Sequence, residues 1–250
     1  GGSSSIKFTP CQNAFLVDSM YRAGMFDRMD AVRVEALKGG ALVLIVMEAK
    51  DTGLWFETPK GVARLRMGFW NGHAANRAVG VSPTLNLPSG GDVPLFSVRN
   101  GIAKERSVRH TRSVNDMMKE LTDAWGDTVN LSAETAKTLT DMSSVIITKN
   151  EMRAIVIASM NRSLEGRHNN IQANAEIFEK TLLVHNDNRT PETLLDLVDA
   201  VASHVDQDRP VRKRAHMTEE QARTEASLVG IGARLKNAVI QEVVSFMQKS

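Results

Sequence analysis

At 250 residues, 42% of them hydrophobic and 24% charged, the chain can bury a real core as one large unit or two small ones, with a charge content ordinary for a globular protein. Its formal net charge is only +2, so any concentrated positive region must be offset elsewhere; no apolar run reaches the ~18 residues of a membrane span, and no charged-then-apolar leader opens the sequence. A lone cysteine, Cys11, excludes an intrachain disulfide and a cysteine-rich zinc site, and points to a reducing, cytoplasmic setting.

Gly1–Ser5 reads as a flexible linker and is set aside. Asn13–Met29 carries Phe15, Leu16, Met20, Met25 and Phe26 at helical spacing, with Gly24 a candidate interruption. Short β-branched or aromatic runs follow: Val32–Leu37, Ala41–Ala49, Leu54–Glu57, Val62–Trp70, Ala78–Leu85 and Val93–Val98. Gly-Gly, Asp-Thr-Gly, Pro-Lys-Gly, Asn-Gly-His and Pro-Ser-Gly-Gly separate them, which is the pattern of a meandering antiparallel sheet. Within Val62–Trp70, Leu65, Met67 and Phe69 alternate with Arg64, Arg66 and Gly68, so one face of that strand is basic.

After Arg112 the period changes to that of helices. Ser113–Trp125 and Ser132–Met142 are two predicted helices, each capped by its serine. A helix over Thr148–Met160 contains the run Ala154–Ala158, apolar all round and expected to be buried. Asn170–His185 comes next. Thr190-Pro-Glu then opens Pro191–Val205 with proline at the first helical position. Its stripe is Leu194, Leu195, Val198, Val201, Ala202 and Val205. Asp206–His216 reads as a polar, basic linker. Thr218-Glu-Glu-Gln matches a capping box and starts a last helix to about Gln248, interrupted at Gly230 and Gly232. Strands and helices are segregated, which predicts an α+β fold: a helix and a mainly antiparallel sheet over 6–112, then a helical half over 113–250, two subdomains of one compact unit. The last helix carries a wide stripe (Leu228, Val229, Ile231, Leu235, Val239, Ile240, Val243, Val244, Phe246, Met247), and covering it calls for a second copy of the chain.

The functional signal is charge. Arg99–Lys119 holds six basic residues (Arg99, Lys104, Arg106, Arg109, Arg112, Lys119) against two acids, Glu105 and Asp116, a local excess of four. A concentrated positive segment attracts a polyanion by releasing its counterions, without reading bases. Ser107, Thr111 and the free N–H groups opening the helix at Ser113 would assist phosphate binding. Arg212, Lys213 and Arg214, beside Pro210, form a second cluster that reads as a nucleic-acid-binding arm or as a loop neutralised by Asp206 and Asp208. Arg64 and Arg66 are secondary contacts. Aromatic residues make up only 5%, so a single strand would be held by its phosphates rather than by stacking.

Catalytic patterns are missing from the sequence. The six histidines show no metal-binding spacing, and there is no GxSxG, P-loop or GxGxxG. Glu48, Asp51 and Glu57 near strand ends are the candidates for a nuclease metal, although acids in turns are ordinarily just solvated. No catalytic residue, metal or cofactor is assigned.

Three phrases resemble a phage- and plasmid-borne family known only as a domain of unknown function, whose members carry N-S-H-D-G after a strand, then C-x-N-G/T-L, then R-H-T before a helix. The counterparts are Asn71-Gly72-His73 after Val62–Trp70, then Ser97-Val98-Arg99-Asn100-Gly101-Ile102, then Val108-Arg109-His110-Thr111. Ala74-Ala75 stands where that family has Asp-Gly, and Val98 or Arg99 where it has cysteine. The resemblance covers about a third of the chain and leaves the helical half unmatched. It implies a mobile-element origin and an α+β core, and no catalysis. The plan is also similar to phage single-strand annealing proteins of the Red-beta and Rec-T type, an analogy of architecture alone. The expectation is therefore an oligomeric, non-enzymatic protein that binds single-stranded DNA, or RNA, and promotes annealing in recombination. The alternative is an assembly or host-factor-binding protein of a mobile element.

Overall fold

The computed structural model describes residues 12–37, 40–72, 78–98, 101–102, 106–109, 114–163, 171–184, 186–211 and 217–249. Strands and helices are segregated, as expected of an α+β chain. Helix α1 (Asn13–Arg22) stops where Gly24 takes φ 69°, a left-handed conformation that costs glycine little. One turn, α2 (Met25–Arg28), then leads directly into β1 (Met29–Leu37), so the predicted Asn13–Met29 helix is two pieces.

Strands β2 (Leu42–Ala49), β3 (Trp55–Thr58), β4 (Gly61–Gly72), β5 (Ala78–Asn86) and β6 (Asp92–Pro94) follow the predicted runs, although Asn71 and Gly72, read as a turn, are paired within β4; the predicted Val93–Val98 strand is divided between β6 and β7 (Phe96–Ser97), and β8 (Gly101–Ile102) and β9 (Arg106–Arg109) lie where no strand was predicted. Every ladder among the described residues is antiparallel. The order is β1-β2-β4-β5, with β3 beside the start of β4 and the outer edge of β5 shared by β6 and β9. β7 and β8 form a separate short ladder.

Alternation gives the sheet two different faces. Ile45, Met47, Leu65, Met67, Phe69, Val79, Val81 and Leu85 enter the main apolar core with the helices. The opposite parity begins as a smaller cluster of Leu37, Leu42, Leu44, Val46, Trp70 and Leu228, and turns polar further along β2 and β4.

The helical half corrects several expectations. Val114–Ser143 is one helix, α3, where two were predicted. Gly126 faces open space and does not break it. Ser132 caps nothing: it is buried, and its hydroxyl donates to the Thr128 carbonyl at 2.7 Å. In α4 (Lys149–Ser163) Ile155 and Val156 are buried but Ala154 is exposed, so the run is not buried all round. α5 spans Ile171–Val184. α6 (Leu194–Ser203) starts after Thr193, not Thr190. Thr193 and Asp196 close a reciprocal capping box with two 3.1 Å bonds, satisfying two helix-end groups, and the Pro191 position offers no such closure. A π turn, His204–Asp208, follows. α7 (Glu219–Val229) opens with the predicted Thr218–Gln221 box, and Gly230 adopts an extended conformation that separates it from α8 (Ile231–Met247). α8 packs against α4, α6 and α7. Leu235, Val239, Ile240, Val243 and Val244 are buried there within the one chain, which removes the reason for expecting a second copy on that stripe. No helix among the described residues is long and apolar enough to cross a membrane.

Candidate functional site

α7 lies over the polar half of the second sheet face and borders an open cleft of about 420 Å³. Val46, Arg66 and Asp92 form its floor, Arg33 of β1 one wall, and Glu220, Arg223, Thr224, Ser227 and Leu228 of α7 its roof. The strands put these side chains together by register: Glu48 stands opposite Arg66, Arg66 opposite Thr84, and Asn86 opposite Asp92.

Arg66 forks between two carboxylates. Its Nε and Nη2 donate to Glu48 Oε2 at 3.1 and 2.5 Å, and its Nη1 donates to Asp92 at 3.1 and 3.3 Å. Asp92 also accepts from Asn86 Nδ2 at 3.0 Å. Burial pushes the Asp92 carboxyl above its ordinary range, and the neighbouring Asp206 adds to this, while Arg66, Lys236 and Asn86 oppose it. Asp206 comes from the π turn. It accepts the Asp92 N–H at 2.7 Å, Lys236 Nζ at 2.8 and 3.1 Å, and the Ser227 hydroxyl. Lys236 is only 5% exposed. This network fastens β6, the π turn, α7 and α8 to one another. Because Lys236 bonds both oxygens of Asp206, the lysine serves as an ion-pair donor beside Ser227 rather than as a free base.

At the roof, Arg33 donates to Thr224 Oγ1 at 2.5 Å and to Glu220 at 2.8 Å. Burial raises the Glu35 carboxyl above its ordinary range; Arg33 counters and Glu220 reinforces that shift. Three arginines and three carboxylates line the cleft. That balance suits a lock between helix and sheet better than a channel for a polyanion.

The predicted contacts distribute unevenly. Arg64 and Arg66 lie on the basic face of β4 as the alternation required, but both are neutralised there. Arg64 pairs with Glu48 at 3.2 Å and stacks over Trp55 with its guanidinium 4.6 Å from the ring centre. Arg106 and Arg109 belong to β9, the strand at the edge of β5, at positions of opposite parity. Arg99, Lys104, Arg112, Arg212, Lys213 and Arg214 lie outside the described residues. Arg209, which opens the second cluster, is drawn inward: burial pushes its guanidinium pKa down, and its Nη1 is buried without a hydrogen bond. Glu48, Asp51 and Glu57 do not gather. Glu48 holds the two arginines, Asp51 pairs with Arg28 at 2.6 Å and caps Gly53, and Glu57 is exposed on β3. No group of metal-binding side chains occurs among the described residues. His204 is buried edge-on against Phe178, as a core histidine.

Topology does bring the flanks of both basic segments to one margin. Leu44, Trp70, Gly80 and Ser107 stand opposite one another across β2, β4, β5 and β9, and Ser107 is exposed. Arg109 ends β9 at the same end of the sheet, opposite Ala78. Met217, directly after the 212–216 segment, packs on the cluster that contains Leu44 and Trp70.

Residues 97–228, more than half of the chain, match the family described as "Domain of unknown function (DUF932)". The chain belongs to that family. The DUF932 match runs from β7 through most of α7, so it contains both basic segments, Asp206 and Ser227, and excludes Arg66, Asp92 and Lys236. It takes in most of the helical half that the sequence resemblance left unmatched, up to residue 228 and so short of α8, and begins after Asn71-Gly72-His73, which therefore falls outside the match. No curated protein and no solved structure matches the chain.

Asp92, Asp206, Ser227 and Lys236 escaped the sequence reading. A signal existed for one of them: Lys236 interrupts the stripe between Leu235 and Val239, where a lysine needs a buried acid. Asp206, read as part of a solvated linker, is that acid.

Proposed function

We propose that the chain binds single-stranded nucleic acid through its phosphates, along the sheet margin where β9 ends and α7 begins. It would act as an oligomeric annealing protein of a phage or related mobile element, in the host cytoplasm. The observation that supports this reading is the convergence just described: two basic segments, separated by about a hundred residues in sequence, have flanking residues on one end of one sheet face. Arg106, Arg109 and Arg112 are the principal contacts, and Arg99, Lys104, Arg212, Lys213 and Arg214 are further contacts on the ground of their sequence alone. Arg64 and Arg66 are left to the fold, because carboxylates already hold them.

The test is fluorescence anisotropy with single- and double-stranded DNA and single-stranded RNA across a salt series. Changing Arg106, Arg109 and Arg112 together to alanine should weaken binding and reduce the slope of log K against log salt by about 0.7 per lost phosphate on a single strand, a total of about 2 for a strand that follows the edge of β9 and so meets both Arg106 and Arg109 despite their opposite parity. Base preference should stay the same, because phosphate contacts position without reading sequence. An unchanged slope would return the segment to a solvated face. A parent chain that binds no nucleic acid at low salt would favour the assembly-protein reading.

A further inference from the structure

Arg33, Arg64, Arg66 and Arg223 each reach a carboxylate of their own chain. Arg209 does not. Among the described residues its guanidinium has no carboxylate partner, and its Nη1 is buried with no hydrogen bond. The surrounding acids are committed. Asp206 accepts from Lys236, Ser227 and the Asp92 N–H, Glu219 pairs with Arg223 at 3.1 Å, and Glu220 pairs with Arg33 at 2.8 Å. Asp208 is exposed and engaged elsewhere. The place of Arg209 is nevertheless fixed. Its N–H donates to the His204 carbonyl at 2.8 Å, closing the π turn, and its carbonyl accepts Arg223 Nη1 at 3.1 Å. A guanidinium stays protonated at neutral pH, so the charge is permanent, and a partly buried charge with no partner is unfavourable.

We infer that Arg209 is the fixed contact of an anion site, where its planar fork takes a phosphate group of the strand at the base of the Arg212–Arg214 segment. The inference rests on the phosphate-binding reading for the source of the phosphate, not for the anion site itself. A guanidinium matches two phosphate oxygens at once, and such a charge-assisted pair offsets the cost of holding the arginine inward. Arg209 keeps partial exposure, so an oxyanion can reach it from outside. The sequence that follows favours a chain of phosphates over a lone anion. Arg212 comes three residues on, at most about 11 Å along an extended backbone. Lys213 and Arg214 continue the row, and no acid stands between Arg209 and Met217, which packs back onto the sheet. A lone carboxylate would use the fork once, whereas a polyanion seated on Arg209 also meets the row. Arg223 is a positioning residue: it holds the Arg209 backbone, and its own charge is met by Glu219.

Urea unfolding tests the anion site without nucleic acid. At constant ionic strength, replacing chloride by inorganic phosphate should raise the midpoint of the parent more than that of Arg209→Gln, which reports only the general effect of phosphate on a fold. Arg209→Lys keeps the charge without the fork and should fall between them. In chloride alone, Arg209→Gln should be at least as stable as the parent, because it removes a charge that has no partner; an arginine that held the fold together would show the reverse. Anisotropy with a single-stranded oligonucleotide then identifies the source. Arg209→Gln should weaken binding about tenfold and lower the slope of log K against log salt by about 0.7. A parent that phosphate stabilises through Arg209 but that binds no oligonucleotide would keep the anion site and overturn the strand-binding reading. Equal stabilisation of parent and Arg209→Gln by phosphate, a loss of stability by Arg209→Gln in chloride, or an unchanged affinity and slope in a parent that does bind would overturn the inference.

Discussion

On one face of the sheet, Ile45, Met47, Leu65, Met67 and Phe69 pack into the main core; on the other, Leu44, Val46 and Trp70 give way, within the same strands, to Glu48, Arg66 and Asp92. The first face depends on apolar area and close packing, which are non-directional and tolerate exchange of similar shapes. The second depends on charges whose burial is unfavourable unless every partner is present. It is thus the less forgiving of the two to single changes, and the more open to rescue by a second.

The largest expected effects put that contrast to the test. Phe69→Ala, on the apolar face, should cost about 3–5 kcal/mol by removing buried area and leaving a cavity. Lys236→Met should cost a similar amount, about 3–5 kcal/mol, because Asp206 is left buried without its cation. The two should separate on adding a second substitution. Asp206→Asn in the Lys236→Met chain removes the stranded charge while its amide oxygen still accepts the Asp92 N–H, and should recover part of the loss. Urea unfolding midpoints measure all three. If Asp206→Asn deepens the loss instead, the ion pair is not what makes Lys236 important.

The same contrast explains what was legible in the sequence. Strand positions from Val32 to Leu85 emerged nearly as predicted, because each is a local run bounded by turn residues, while Val93–Val98 was divided between two sheets; the parity of Arg64 and Arg66 followed from alternation alone. The ionic site was hidden. Asp92, Asp206 and Lys236 are far apart in sequence, Asp206 stands in a polar run that reads as solvated, and a π turn places it inward. The error at Thr190 has a local cause: proline at a first helical position is a good signal, yet Thr193 and Asp196 can close two hydrogen bonds and Thr190 cannot. The split predicted within α3 failed because serines in a long helix can return their hydroxyl to the preceding turn, as Ser132 does.

A middle-sized effect probes the boundary between the two halves of the second face. Gly80 has no side chain where a Cβ would lie 2.1 Å from Cζ2 of Trp70, so the indole occupies the space above it. Gly80→Ala should cost about 1–3 kcal/mol through overpacking. Trp70→Leu in the same chain removes the clash, so the double variant should be less destabilised than the sum of the singles. Strict additivity would mean that the ring moves aside freely and that the close approach is incidental.

The smallest expected effect is a difference of pH slope between two carboxylates. Asp92, raised by burial and by Asp206, is a group whose folded pKa lies above its unfolded value of about 3.9. Its favourable contribution is complete below that value and is lost as pH rises through the folded pKa. Asp196, on the helix-packed side, behaves oppositely: burial opposes its charged form, but Lys60 at 2.5 Å and the Thr193 cap outweigh it and hold the pKa below the ordinary value. Its contribution is present above the unfolded pKa and fades as pH falls through the folded one. Stability measured from pH 3 to 8 should therefore diverge. Relative to the parent, Asp92→Asn should improve as pH rises above about 4, whereas Asp196→Asn should hold a constant deficit there that shrinks only at more acid pH. An Asp92→Asn chain that worsens with rising pH would show that Arg66 and Lys236 outweigh the burial of Asp92, and would make the second face an ordinary pair of salt bridges.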